Sequence, residues 1–216
     1  MKQIFPPRSV ELRLFGCFGI SHSRFKGFFI VIRTWHIPIS GFTQNIDRQN
    51  GFDRLWKQLR PLASEHVSLL PPQRWRADFS AIAEFIHRMK PENTVPEIRV
   101  YAYSWGCGHG FLKLATELLK RGLSIRYAVL CDPVYHSWWR PWRAMLTGRW
   151  SPPIRIPKNV GEVFWFRQFQ NRPQGTDLVS ADPATVIHEP VVLNAHHEWM
   201  DDQREFHDTC LEVAAK

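Results

Sequence analysis

Residues 102–106 read Ala-Tyr-Ser-Trp-Gly, and Ser104 at their centre is the side chain best placed to do chemistry. A serine with a small residue two positions before it and two after fits a sharp strand-to-helix turn. There the backbone is strained and the hydroxyl points out of the fold. The following helix sets its positive end beneath that oxygen, and the amide of Trp105 is a natural donor to an oxyanion. This is equipment for nucleophilic attack on an acyl carbonyl. It needs a base to take the serine proton and an acid to orient the base. Residues 130–134, Leu-Cys-Asp-Pro-Val, end an apolar run in a carboxylate, and Pro133 then turns the chain aside, so Asp132 is the expected acid. The base is expected from the late stretch Asn194-Ala195-His196-His197-Glu198, where His196 and His197 both compete for the role.

Other constellations use some of the same residues. Gly106 and Gly108 match the start of a dinucleotide-binding fingerprint, but Phe111 stands where its third glycine belongs and the turn lies mid-chain. His196, His197, Asp201, Asp202 and His207 cluster late in the chain, in no spacing that a zinc site uses. No metal and no cofactor is therefore expected. His109 and His136 are further histidines expected near the site.

The elements around these residues are legible from periodicity. Strands are expected at 10–14, 28–32, 98–103, 125–131, 163–169 and 186–193. Phe52, Leu55, Trp56 and Leu59 fall at helical spacing, as do Phe79, Ile82, Ala83 and Ile86. A third helix carries Phe111, Leu114, Ala115, Leu118 and Leu119 on one face and ends at Gly122, in the manner of a left-handed cap. The last helix is expected to start near Asp201 and Asp202, with Asp202 and Glu205 as a capping box and Phe206, Cys210 and Val213 buried. Strands alternating with helices imply a mostly parallel sheet flanked by helices on both faces, with functional loops on the edge where the strands end.

The chain has 216 residues, enough for one domain with a core of its own. Ten Trp and fifteen Phe exceed what a core alone needs and point to an apolar binding surface. The net charge of +8 favours acidic partners, although Lys and Arg are scattered and form no run. Cys17, Cys107, Cys131 and Cys210 form no CxxC pair and read as reduced thiols of a cytoplasmic protein. Pro6, Pro7 and Glu11 interrupt the stretch where a signal peptide would be apolar, and no segment has the length of a membrane span. The segment at about 133–160 breaks the strand–helix rhythm. Trp138, Trp139, Arg140, Trp142, Arg143 and Trp150 make it an expected lid over an apolar acyl pocket or a surface in weak contact with anionic lipid, or equally a loop that packs its own tryptophans onto the body. Nucleic acid is not an expected partner.

Taken together, the 102–106 turn, the Leu130-Cys131-Asp132-Pro133 strand end and His197-x-x-Met200-Asp201 before a final helix resemble the α/β-hydrolase superfamily, and within it the lipase- and esterase-like serine hydrolases. Pancreatic-type lipases similarly carry their acid at such a strand end directly after the nucleophile's helix. The resemblance runs over about residues 28–215. It implies a three-layer α/β fold, a triad of Ser104, Asp132 and His197, and cleavage of an ester, thioester or lipid-like acyl substrate. Two departures are visible: Ala102 replaces a glycine, and no His-Gly-Gly-Gly oxyanion motif follows an early strand. The nearest equivalent is 39–43, Ile-Ser-Gly-Phe-Thr, which nominates the Phe42 amide as second oxyanion donor. The competing expectation is a binding protein that keeps the fold without turnover and engages an anionic partner through the basic, Trp-rich segment.

Overall fold

Alternation along one central strand sorts the apolar side chains into two cores. In β3 (Thr94–Tyr103), Ile98, Val100 and Ala102 face one side, while Tyr101 and Tyr103 face the other. The structure, a computed structural model, describes residues 31–42, 44, 50–90, 94–135 and 152–216.

On the first side α2 (Phe79–Arg88) and α3 (Leu112–Lys120) bring Phe79, Ala83, Ile86, Leu114, Ala115 and Leu118 onto the sheet. On the second, α1 (Gly51–Leu59) and α4 (Arg204–Ala215) bring Phe52, Leu55, Leu59, Phe206, Cys210 and Val213. Each helix therefore buries a single stripe at 3.6-residue spacing. The helices have identifiable starts: Asn50 accepts from the Asp53 amide, and Asp78 accepts from the amides of Ser80 and Ala81. Gly122, at φ +67°, closes the end of α3.

The remaining strands are β1 (Val31–Ile39), β2 (Val67–Leu69), β4 (Ile125–Cys131), β5 (Ile154–Ile156), β6 (Val160–Arg167), β7 (Leu178–Ser180), β8 (Val186–Ile187) and β9 (Val191–Val192). The main sheet runs β2-β1-β3-β4-β6-β8, with β9 also on β6, and β5 and β7 make a separate pair. Every pairing among the described residues is parallel. The fold is thus a mostly parallel central sheet flanked by helices. A parallel sheet gathers its strand C-termini on one edge, so the loops after β1, β3, β4 and β6 meet there.

Three local expectations are corrected. The first strand extends to Ile39 and does not stop at 32. Thr34, His36 and Pro38 break the apolar run, but their backbones pair with β3 while Trp35, Ile37 and Ile39 fill the first core. The strand expected over 186–193 is split in two, because Pro190 has no N–H to continue a ladder. Asp202 is not an N-cap. A 3-10 turn, His197–Asp202, precedes α4, Gln203 occupies the cap position without a side-chain bond, and Asp202 pairs with Arg54 of α1. The strand expected at 10–14, Cys17, His136 and most of the lid-like segment lie outside the described residues.

Candidate active site

Ser104 sits where β3 stops and the chain turns directly into a helical segment. Its φ is +52°, a conformation that costs an L-residue on the order of 1–3 kcal/mol. Hydrogen bonds on both sides hold it there. Its amide donates to the carbonyl of Cys131 at 2.9 Å, and its carbonyl accepts from Cys107 N at 3.0 Å and Val134 N at 3.1 Å. Gly106 is required by close approach: a Cβ there would lie 2.7 Å from the carbonyl oxygens of both Ile39 and Ser40. A Cβ on Gly108 would lie 2.1 Å from the Val134 carbonyl oxygen. The glycines of this turn therefore make room for protein backbone, where a dinucleotide site would keep room for a pyrophosphate.

Asp132 follows β4 in the same way, with φ +41° and its amide bonded to Phe166 O at 2.8 Å. The residue is 0% exposed. Burial of a carboxylate demands donors, and four supply it. Oδ1 accepts from Gly175 N at 2.8 Å and Gln168 N at 3.4 Å; Oδ2 accepts from Gln168 Nε2 at 3.1 Å and faces His197 Nδ1 at 2.5 Å. The other ring nitrogen, His197 Nε2, lies 2.8 Å from Ser104 Oγ. One tautomer satisfies both contacts: Nδ1–H donates to Asp132, leaving the Nε2 lone pair to accept from the serine hydroxyl.

His197 is held by three further contacts. Asn171 Oδ1 accepts its amide at 2.7 Å, Tyr103 Oη donates to its carbonyl at 2.5 Å, and its ring stacks on Tyr103 at 5.2 Å. His196 points elsewhere. Its side chain is 53% exposed, lies 3.7 Å from Glu198 Oε1, and stacks on Trp199. The structure brings His197, and not its neighbour, to Ser104. The other side chains of the late His/Asp cluster are likewise dispersed. Asp201 meets Gln44, Asp202 meets Arg54, and His207 meets Gln58 and the Asp201 carbonyl. Among the described residues no three His, Cys, Asp or Glu side chains converge.

Sequence reading missed Gln168, Asn171 and Gly175, the loop after β6 that clasps Asp132 and His197. Their only signal is a turn-rich stretch at 168–175, since each partner lies at least 26 residues away along the chain. Among the described residues no thiol competes with Ser104. Cys107 and Cys131 are fully buried, and burial pushes both well above the usual thiol range.

An aromatic group flanks Ser104 on the side of Trp105. Phe42 meets Trp105 at 5.1 Å and Trp75 at 5.7 Å; Trp105 stacks on His109 at 4.8 Å; His109 meets Tyr135 at 5.1 Å. Gln73 accepts the Ser40 amide at 2.8 Å and so fixes this wall to the end of β1. Phe42 is 53% exposed and places apolar surface beside Ser104. No helix among the described residues is long and apolar enough to cross a membrane.

No protein-family profile matches the chain, and no curated protein matches it in sequence. Among solved structures it is similar to the RedJ thioesterase from the prodiginine biosynthetic pathway in Streptomyces coelicolor, at 11% identity and a TM-score of 0.48, over 84% of this chain and 85% of that one. It is also similar to ClbQ from the colibactin NRPS/PKS pathway, at 8% identity and a TM-score of 0.47, over 85% of this chain and 96% of that one.

Proposed function

We propose that this chain is a serine hydrolase that cleaves an acyl ester or thioester through a covalent acyl-enzyme. One observation carries the reading: the unbroken hydrogen-bonded path from Ser104 Oγ to His197 Nε2, and from His197 Nδ1 to Asp132 Oδ2, at 2.8 and 2.5 Å.

In the first half-reaction Ser104 Oγ attacks the acyl carbon, and His197 Nε2 takes the hydroxyl proton as the bond forms. Asp132 holds Nδ1–H and stabilises the imidazolium. The carbonyl oxygen becomes an oxyanion facing the amides of Trp105 and Phe42. Collapse of this adduct expels the alcohol or thiol, which leaves with the proton from Nε2. In the second half-reaction His197 deprotonates a water that attacks the acyl-serine, and the acid departs as Oγ is reprotonated. Each step as written balances on the side chains of Ser104, His197 and Asp132 together with substrate and water. The aromatic wall of Phe42, Trp75 and Trp105 supplies an apolar rest for the acyl group, and suits a small-molecule or lipid-like acyl substrate.

A fluorophosphonate probe tests the reading directly. Wild-type protein is expected to label near stoichiometrically, and Ser104→Ala not at all. Equal labelling of both, or none of the wild type, overturns the assignment of the nucleophile.

A further inference from the structure

A second chain of contacts runs beside the acyl-transfer path. Gly41, two residues beyond β1, donates its amide to Gln44 Oε1 at 3.0 Å. Gln44 turns its Nε2 onto Oδ2 of Asp201. Asp201 belongs to the same 3-10 turn as His197, four residues further on, and is 1% exposed. The loop after β1 and the turn that carries His197 are thereby tied together through two side chains.

Both ends of this tie sit against something that matters. At one end, a Cβ on Gly41 would lie 3.1 Å from Ser104 Cβ and 2.8 Å from the Tyr103 ring, so the loop backbone rests on the nucleophile. At the other, a Cβ on Gly51 would lie 2.1 Å from the Asp201 carbonyl oxygen and 2.5 Å from Oδ2, and the Gly51 amide, the first of α1, bonds the Asp201 carboxylate. That position favours a negative charge. Burial nevertheless pushes the Asp201 carboxyl up to about 6, with Asp202 adding repulsion, while Gln44 and the Gly51 amide pull it back down. An apolar side chain would avoid the burial penalty, but it could not hold Gln44.

We propose that Gln44 and Asp201 are positioning residues that lock the oxyanion loop to the histidine-bearing turn, keeping the Phe42 amide and the His197 ring in register across Ser104. This rests on the acyl-transfer reading above. The residue types fit the task. Gln44 needs an acceptor for Gly41 and a donor for Asp201, which an amide supplies and a carboxylate does not. Its use of the Gly41 amide leaves Phe42 as the next amide of the loop to face an oxyanion. Misplacing a reacting group by about 1 Å costs on the order of 10²-fold in rate, so the tie has a catalytic consequence although neither side chain touches substrate.

Two measurements test this separately from the hydrolase reading. Amide hydrogen exchange reads the tie itself. Asp201→Ala and Gln44→Ala are each expected to speed exchange at Gly41 by about tenfold or more, with little change in the strands. Asp201→Asn keeps an acceptor for Gln44 and is expected to retain protection. Steady-state hydrolysis of p-nitrophenyl butyrate reads the consequence, with kcat referred to active sites counted by fluorophosphonate. Both alanine variants are expected to lose about tenfold or more in kcat with KM within about twofold, and Asp201→Asn to recover most of it. Unchanged Gly41 exchange in Gln44→Ala overturns the proposal, as does an alanine variant with wild-type kcat per active site. An inert wild type that never labels at Ser104 instead overturns the hydrolase reading, and the exchange arm still judges the tie.

Discussion

Two tyrosines of β3, two residues apart, each hold a histidine, and the two histidines differ in nearly everything else. Tyr103 stacks on His197 at 5.2 Å and Tyr101 stacks on His36 at 5.9 Å. His36 lies inside the sheet, its Nδ1 2.8 Å from Tyr101 Oη, its Nε2 without a hydrogen-bond partner among the described residues. Burial first, and the nearby Arg99 second, push it down to about 4, so it is a neutral core residue. His197 stands at the strand ends, where loops converge, and both its ring nitrogens are engaged, one by a carboxylate and one by a hydroxyl. The ring and its aromatic neighbour are common to both. Position relative to the sheet edge, and the partners reachable there, make one a candidate base and the other packing.

Replacing each histidine gives the widest separation. His197→Ala and Asp132→Asn are each expected to lower kcat by about 10³-fold or more, because the base is lost or its tautomer is no longer held. Both should keep the fold, since the strained turns are fixed by backbone bonds. His36→Asn is expected to leave kcat within about threefold and to act on stability alone. Steady-state kinetics beside chemical denaturation checks the pair. A His36 variant that is inactive yet fully folded breaks the division.

The same division explains what the sequence made legible. Ser104 stood out because its turn demands small neighbours at fixed positions. Asp132 and the pair His196 and His197 stand out because they follow readable strands and precede a turn or helix, and local spacing does not choose between the two histidines. His36 carries no comparable signal: polar and mid-strand, it helps to hide the part of β1 beyond the apolar run that ends at Ile32. The supports of the site were also hidden. Gln168, Asn171 and Gly175 meet Asp132 and His197 only after β6 has paired with β4. Local spacing marks Asp202 as a cap, but a long-range partner, Arg54, takes it instead. Local periodicity reports helices and strand cores, whereas loop-borne polar partners depend on topology that no short window contains.

Proton linkage sharpens the contrast through two buried groups with opposite signs. His36 has a folded value near 4 against an ordinary 6.5, so the unfolded chain binds more protons between those values. Its contribution to stability is full above pH 6.5 and is lost as pH falls towards 4. The stability of wild type minus that of His36→Asn should therefore drop by on the order of 3 kcal/mol across that window. Asp201 is raised from 3.8 to about 6, so its contribution is full below pH 3.8 and is lost as pH rises through 6. Wild type minus Asp201→Asn should change by on the order of 2–3 kcal/mol in the opposite sense. Urea denaturation at half-unit pH steps from 4 to 7 reads both; slopes of the same sign would contradict one of the two environments.

The smallest effects come from the tyrosine hydroxyls, and they divide the two sites most finely. Tyr101→Phe keeps the ring against His36 but strands its Nδ1, a loss of about 1–3 kcal/mol for a buried polar atom left unpaired. Turnover should not change. Tyr103→Phe keeps the ring against His197 and removes only the donor to the His197 carbonyl. That hydroxyl is itself deeply buried, and burial, followed by the charge of Asp201, holds its pKa far above the usual phenol range, so it acts as a fixed donor. Its removal should cost about 1 kcal/mol of stability and a few-fold in kcat, because the His197 backbone then has the Asn171 contact but not the phenol to hold it. Equal loss of turnover in the two variants would mean that β3 acts on Ser104 as one rigid unit. Loss confined to Tyr103→Phe would localise the effect to the histidine at the strand end.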